Sequence, residues 1–544
     1  MNTATASSTN TGVEPQASWM PMIVIILAQI LLMFNLTTLQ VSIDGIASSF
    51  RKPATIVGTA IVAYSLVVAG LMMVGARVAE MYGSRRVFRV TLVVFGAAMA
   101  LIAFSPSAVT MIIAEVAAGA AAAATIPTLV VLLADNYKGR QQMKAVALLG
   151  AAQPMGIVLA FLIAGTLGTL VNWRVTFGLL ALLAAAVYKL GDKLSVEKGA
   201  GSARIDGVGA VLMAMSIFLV SIGFNNLTRW GTLLAKPDAP FNVLDMSPAP
   251  IMIVGGIFLF QAFLVWSRRR QASGAPPLMA LEVIRNPQEK AALFSLFAIG
   301  AITSAIAFLV PLYIQIVQGG SSLQTAVAMI PLSVASVAAA ILVVRLFDRV
   351  SPRRIARKAF LLTTIGVALL GIVIRNNWSN GMVIISMILT GIGEGALVAL
   401  LFNVLVSASP KEKAGDVGSV RGTANNLATA VGTAVAGALI VSVLSSSINQ
   451  DLARNPLLPG ELRGQVNLDK VSFISNDMLR RTLEHTTATP EQVVDAVRLN
   501  TEARLQALKV SIFTLAGLAL LAYFPAGALP GRTRLEAQEE PAPA

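Results

Sequence analysis

The chain predicts an all-α membrane protein built from two related halves, and three observations carry that prediction. Apolar residues make up 56% of the sequence and charged residues only 12%, where a soluble domain carries about a quarter charged residues. The apolar residues fall into continuous runs of about twenty, the length a helix needs to cross a hydrocarbon core of roughly 30 Å. These runs are rich in Leu, Ala, Gly and Val, unlike the short alternating segments of a membrane β-barrel. Finally, the charged connector Gly75-Ala-Arg-Val-Ala-Glu-Met-Tyr-Gly-Ser-Arg-Arg86 has a near-copy in Arg345-Leu-Phe-Asp-Arg-Val-Ser-Pro-Arg-Arg354. Glu80 aligns with Asp348, and Arg85 and Arg86 align with Arg353 and Arg354, each at an offset of 268 residues. A repeat of this kind marks a duplicated bundle.

Taken in order, residues 1–18 are rich in Ser, Thr and Ala and lack a basic stretch, so they read as a disordered cytoplasmic tail and not a cleaved signal. Trp19 stands where an interfacial aromatic belt places one. Apolar spans follow at 20–44, 56–79, 87–104, 108–134, 142–170, 173–190 and 207–225. Seven more lie at 249–267, 291–317, 323–345, 356–375, 381–406, 413–445 and 507–525. One set of connectors carries 27 Lys and Arg residues, and the short connectors of the opposite face carry 6. By the positive-inside rule the basic face is cytoplasmic, and so are both termini, including the tail 526–544. The expected location is the inner (cytoplasmic) membrane.

Two connectors are long. Residues 268–290 hold a basic cluster, Gly274-Ala-Pro-Pro277, and an amphipathic stretch through Leu278, Met279, Leu281, Val283 and Ile284, which reads as a surface helix joining two bundles. Residues 446–506 lie on the outer face. Within them Thr489-Pro490-Glu491-Gln492 is a helix start, with a threonine cap, proline at the first position and glutamine at the third. The periodicity then runs unbroken into the last span, predicting a helix that projects beyond the membrane. This loop reads as a cap over the outer mouth, or as a surface that handles substrate or a periplasmic partner.

Several chemistries are excluded. The net charge of +14 is a topology signal and does not point to nucleic acid. With no cysteine and one histidine, His485, there is neither a disulfide nor a metal cluster to build. No phosphate-binding loop or nucleophile elbow is present, so neither an enzyme nor a cofactor is expected.

The Gly75–Arg86 connector resembles the loop between the second and third spans of the major facilitator superfamily: Gly, four residues, an acid, two residues, Gly, then basic residues. Gly75, Glu80, Gly83, Arg85 and Arg86 fit it, with Glu in place of the usual Asp. Gly75 and Gly83 suit close helix approach and a tight turn. Glu80 is placed to pair with a guanidinium or cap a helix, and such a pair between the halves would hold one face shut. The fourteen spans, together with Pro276–Asn286 and Asn172-Trp-Arg-Val-Thr-Phe177, resemble the fourteen-span drug:proton antiporter branch. The resemblance implies two six-helix bundles, at 19–190 and 291–525, with two extra central spans within 191–290. It also implies drug efflux by alternating access.

The chain departs from that branch where proton coupling is usually read. The first-span acid is replaced by Asn35 and the following Asn by Gln40. Glu115 occupies the fourth-span arginine position, and Ala160-Phe161 the Gly-Pro of the fifth-span signature. An ionisable group within the bilayer is a functional candidate. Glu115 and Glu394, each in the fourth helix of its bundle and each preceding a glycine, are therefore the proton-coupling candidates. Candidate pocket residues are Asn35, Gln40, Gln153, Phe161, Tyr313, Gln315, Asn403, Asn425 and Asn426, with Phe402 among the apolar walls. Arg421 reads as a gate residue or an interfacial anchor. The expected cargo is an amphipathic or hydrophobic small molecule. A lipid or metabolite transporter without classical proton antiport, or a non-transporting sensor, are the alternatives.

Overall fold

Fourteen helices pass through the predicted spans. The protein is described here from a computed structural model covering residues 18–137, 139–194, 205–231, 233–237, 239–275, 277–278, 286–346, 349–375, 381–408, 414–454, 476–484 and 489–531. The first half comprises α1 (Met20–Val41), α2 (Ile43–Phe50), α3 (Thr55–Tyr82), α4 (Ser84–Ala103), α5 (Ala108–Asn136), α6 (Gly139–Leu170) and α7 (Trp173–Leu190). Next come α8 (Gly207–Trp230) and α9 (Pro248–Ala272). The second half comprises α10 (Pro287–Leu312), α11 (Ser322–Leu346), α12 (Pro352–Val373), α13 (Gly381–Ala408), α14 (Ala414–Arg454), α15 (Asn476–Glu484) and α16 (Pro490–Ala522). Among the described residues thirteen helices are long and apolar enough to cross a membrane, and α6 is apolar over the shorter stretch Met155–Leu170. Among the described residues there is no β-strand, only two isolated bridges near Met246. In lipid this is the economical solution, because a helix satisfies its own backbone. Phe104, Val109, Leu182 and Phe258, all more than 60% exposed, lie on faces that meet lipid.

Helix starts follow local chemistry. Ser107, Asn172, Asp206 and Ser247 each accept a backbone N–H with their side chains, satisfying donors that a first turn leaves orphaned. Asn286 and Glu289 form a capping box at α10. The box expected at Thr489 is present: Gln492 N–H donates to the threonine hydroxyl at 3.3 Å, and Thr489 N–H donates to Gln492 Oε1 at 2.9 Å. The helix it starts runs 33 residues without a break.

Small residues set the packing. Without a hydrophobic driving force between helices in lipid, close approach depends on Gly and Ala at the contacts. A Cβ on Gly75 would stand 2.6 Å from Ala123 O and Ala124 Cα, and one on Gly119 would stand 2.7 Å from Tyr64 O, so α3 and α5 are nearly in backbone contact. Gly391 and Gly395 play the same part between α13 and α11, against the carbonyls of Leu332 and Ser336. The repeat seen in the connectors is thus also a repeat of packing. Gly75→Val is expected to cost about 1–3 kcal/mol by overpacking the α3–α5 contact. Thermal unfolding of the purified protein, followed by tryptophan fluorescence, checks this.

The halves meet along α3–α14, α6–α11 and α1–α10, while α8 and α9 pair with each other and α8 lies against both α3 and α14. Two departures from the predicted elements are local. The first span ends at Val41, not residue 44, because the chain turns at Ser42 into α2, which itself ends at Arg51 with φ 51°. The ninth span finishes in a π-helical turn, Tyr313–Val317. The amphipathic stretch 278–284 lies outside the described residues apart from Leu278.

Candidate functional site

The two acids that sequence singles out sit at equivalent contacts. On α5, Glu115 is fully buried and accepts a hydrogen bond at 2.8 Å from Asn35 Nδ2 of α1, itself fully buried. The remaining oxygens of both groups, Glu115 Oε1 and Asn35 Oδ1, have no hydrogen-bond partner among the described residues. Buried Tyr64 of α3 is an electrostatic neighbour of Glu115. On α13, Glu394 has the Thr303 side chain of α10 as its hydrogen-bonding neighbour, and its Oε2 is unpartnered. Thr303 follows Asn35 by 268 residues, the connector offset. In each half, therefore, the fourth helix points a carboxyl group at the first.

The face carrying α2 is closed by bonds between the halves. Gln315, in the π-turn, donates from Nε2 to Gln40 O at 3.2 Å and accepts Asp44 N–H on Oε1 at 2.9 Å. Leu323 N–H donates to Thr169 Oγ1 at 2.9 Å. Beside it Gly165 of α6 lies against Ala326, Ser322 and Leu323 of α11, where a Cβ would come 2.6 Å from that of Ala326. Π-helical turns of this kind are often functional.

Nearer the opposite face, Arg421 of α14 lays its guanidinium over the Phe402 ring, 3.9 Å from the centroid, and Nη2 stands 3.5 Å from Gln153 Oε1 of α6. This contact joins α6 of the first half to α14 of the second.

The other candidates are more dispersed. Phe161 is buried in α6 and Tyr313 in the π-turn. Asn426 donates to Gly422 O of its own helix at 2.9 Å, Asn425 lies near Gly300, and Asn403 is partly buried on α13. The arrangement thus brings together Asn35 with Glu115, Gln40 with Gln315, and Gln153 with Arg421.

The ion pairs of the first connector lie within the first half. Glu80 pairs with Arg77 at 2.8 Å, one turn away on α3, because Arg77 is the nearest guanidinium along the same helix face. Arg77 also donates to the carbonyls of Pro277 and Leu278, both at 3.3 Å. Arg85 and Arg89 converge on Asp192 beyond α7, at 3.2 and 2.7 Å. Arg86 extends from the first turn of α4. Gly75 serves the α3–α5 contact, and Gly83, at φ 89°, makes the turn into α4, as expected of both. In the second copy, Arg353 donates to Leu529 O at 3.1 Å, Arg354 is exposed, and Asp348 lies outside the described residues.

Sequence reading missed Arg504, a fully buried arginine of α16 that donates to Asn476 Oδ1 of α15 at 2.9 Å and lies near Tyr313. An arginine set within the apolar periodicity of Ala503, Leu505 and Leu508 was the available signal.

The chain is 25% identical over 437 residues to the lincomycin resistance protein of Streptomyces lincolnensis, covering 77% of this chain and 84% of that one. It is 23% identical over 459 residues to the multidrug efflux pump LfrA of Mycolicibacterium smegmatis, covering 84% and 87%. Among solved structures, a POT peptide transporter with bound sulfate matches with a TM-score of 0.57 at 14% identity, covering 96% of this chain and 97% of that one. That likeness concerns the fold. The profile of the Major Facilitator Superfamily matches residues 25–433, and with thirteen helices among the described residues long and apolar enough to cross a membrane this chain belongs to that family of multi-pass membrane transporters.

Proposed function

We propose that this protein exports amphipathic small molecules across the cytoplasmic membrane by alternating access, and that protons drive it through Glu115. The single observation that carries the coupling is the buried Asn35–Glu115 contact, an intramembrane carboxyl group with one oxygen held and the other unpartnered. A charged group at such a place is costly, so it exchanges charge for a proton when its surroundings change. With the basic connectors inside, the α2 face, where Gln315 and Thr169 join the halves, is the outer one. Glu394 at the matching contact is a second proton carrier. The relatives named for lincomycin resistance and multidrug efflux support amphipathic cargo.

The test is transport of puromycin and lincomycin in proteoliposomes under an imposed pH gradient. Accumulation that follows the gradient and collapses on adding a protonophore is expected. Accumulation indifferent to the protonophore sinks proton coupling, and no movement of either compound or of other amphipathic antibiotics sinks the export reading.

A further inference from the structure

Arg421 is a charged group within an apolar span that the coupling reading does not use. It sits three residues into the apolar stretch Gly418–Ser447 of α14 and is partly buried. One turn before it, Gly418 faces Val130 of α5, and the next residue, Gly422, faces Met72 of α3 and Ile126 of α5. Its contacts are the Phe402 ring and Gln153 Oε1, the latter at the outer limit for a hydrogen bond. A guanidinium carries five N–H donors. Among the described residues no carboxylate pairs with it: Glu115 is engaged with Asn35, and Glu394, eight residues before Phe402 on α13, is engaged with Thr303.

We propose that Arg421, backed by Phe402 and oriented by Gln153, receives the oxyanion of an amphipathic cargo, a carboxylate or a phosphate monoester, while the apolar part lies against Met72, Ile126 and Val130. This rests on the export reading and names its cargo class. Three features support an oxyanion. The planar fork of a guanidinium matches the two oxygens of a carboxylate or phosphate. Stacking on Phe402 fixes the plane of that fork and leaves its edges for a ligand. An intramembrane cation without an acidic partner is costly, and an anionic ligand offsets that cost only while it is bound. Because Gln153 and Phe402 stand on different halves, an oxyanion here touches both bundles at once.

The experiment measures binding of three pyrene-labelled dodecyl chains, ending in a carboxylate, a phosphate monoester or a methyl ester, to the purified full-length protein in lipid nanodiscs. The wild type is expected to bind at least one anionic probe about tenfold more tightly than the ester, equivalent to about 1.4 kcal/mol. Arg421→Gln is expected to bring the anions down to the ester's affinity, and Arg421→Lys to restore part of the preference. The anion that binds more tightly identifies the headgroup. Equal wild-type affinity for anions and ester, or a preference that survives in a folded Arg421→Gln protein, overturns the oxyanion site but leaves export standing. Failure of all three probes to bind overturns the site, and failure to move puromycin or lincomycin in proteoliposomes overturns export separately.

Discussion

Glu115→Gln is expected to reduce pH-gradient-driven transport to the level of protein-free liposomes while the protein folds as before. The substitution is nearly isosteric. The new amide oxygen still accepts the 2.8 Å bond from Asn35 Nδ2, so the α1–α5 contact survives. What is lost is an oxygen that can hold or release a proton. Exchange of cargo between the two sides without a gradient should persist, since it requires the conformational cycle but no net proton movement. Glu394→Gln should have a smaller effect, because Glu394 is only partly buried and its neighbour is a hydroxyl. If Glu115→Gln retains gradient-driven accumulation, Glu115 is a structural acid and the coupling assignment is wrong. Asn35→Asp is the converse experiment. It sets two carboxyl groups in contact, and like charges so close together share a proton, so transport should survive with its pH dependence displaced.

Gly165→Leu is expected to hold the outer mouth open. On the α2 face, α6 and α11 approach so closely that even a methyl group on Gly165 would meet the Ala326 Cβ at 2.6 Å and Ser322 O at 3.1 Å. The conformation closed on that face needs this approach, whereas one opened there does not. Overpacking of about 1–3 kcal/mol on one side of a two-state equilibrium moves it by roughly 5–150-fold. The chain has no cysteine, so a single Ser322→Cys gives an unambiguous readout. Its labelling by a membrane-impermeant maleimide from outside should rise sharply in the Gly165→Leu background. Unchanged labelling would show that α6 and α11 separate by another route.

The fold was legible in the sequence because span length and the repeated connector are local signals. Even the start of α16 well ahead of its apolar span was announced by its capping box and unbroken periodicity. The break at Ser42 was not, since neither proline nor glycine interrupts the chain there and the turn is held by a distant residue, Gln315, which bonds to Gln40 O and Asp44 N–H. For the site, the residue types were legible and the pairings were not. Asn35 and Glu115 stand out as departures at two places 80 residues apart, and only the approach of α1 to α5 reveals that the two meet. Glu80 was read as placed to pair with a nearby guanidinium, and which one could not be read: it is Arg77, one turn away on its own helix. Arg504 escaped notice because that end of α16 was expected to project beyond the membrane, whereas α15 packs back against it.

The meeting of Gln153 with Arg421 has a consequence for how the two bundles part. Gln153 stands on α6 of the first half, and Arg421 with its Phe402 shelf on α14 and α13 of the second, so this contact ties the halves together. At 3.5 Å it lies at the outer limit of a hydrogen bond, so it holds them weakly. A tie of that strength yields to a modest change in its surroundings. Gln153→Arg would set two guanidinium groups against each other in poorly screened space and, by their repulsion, drive the two halves apart.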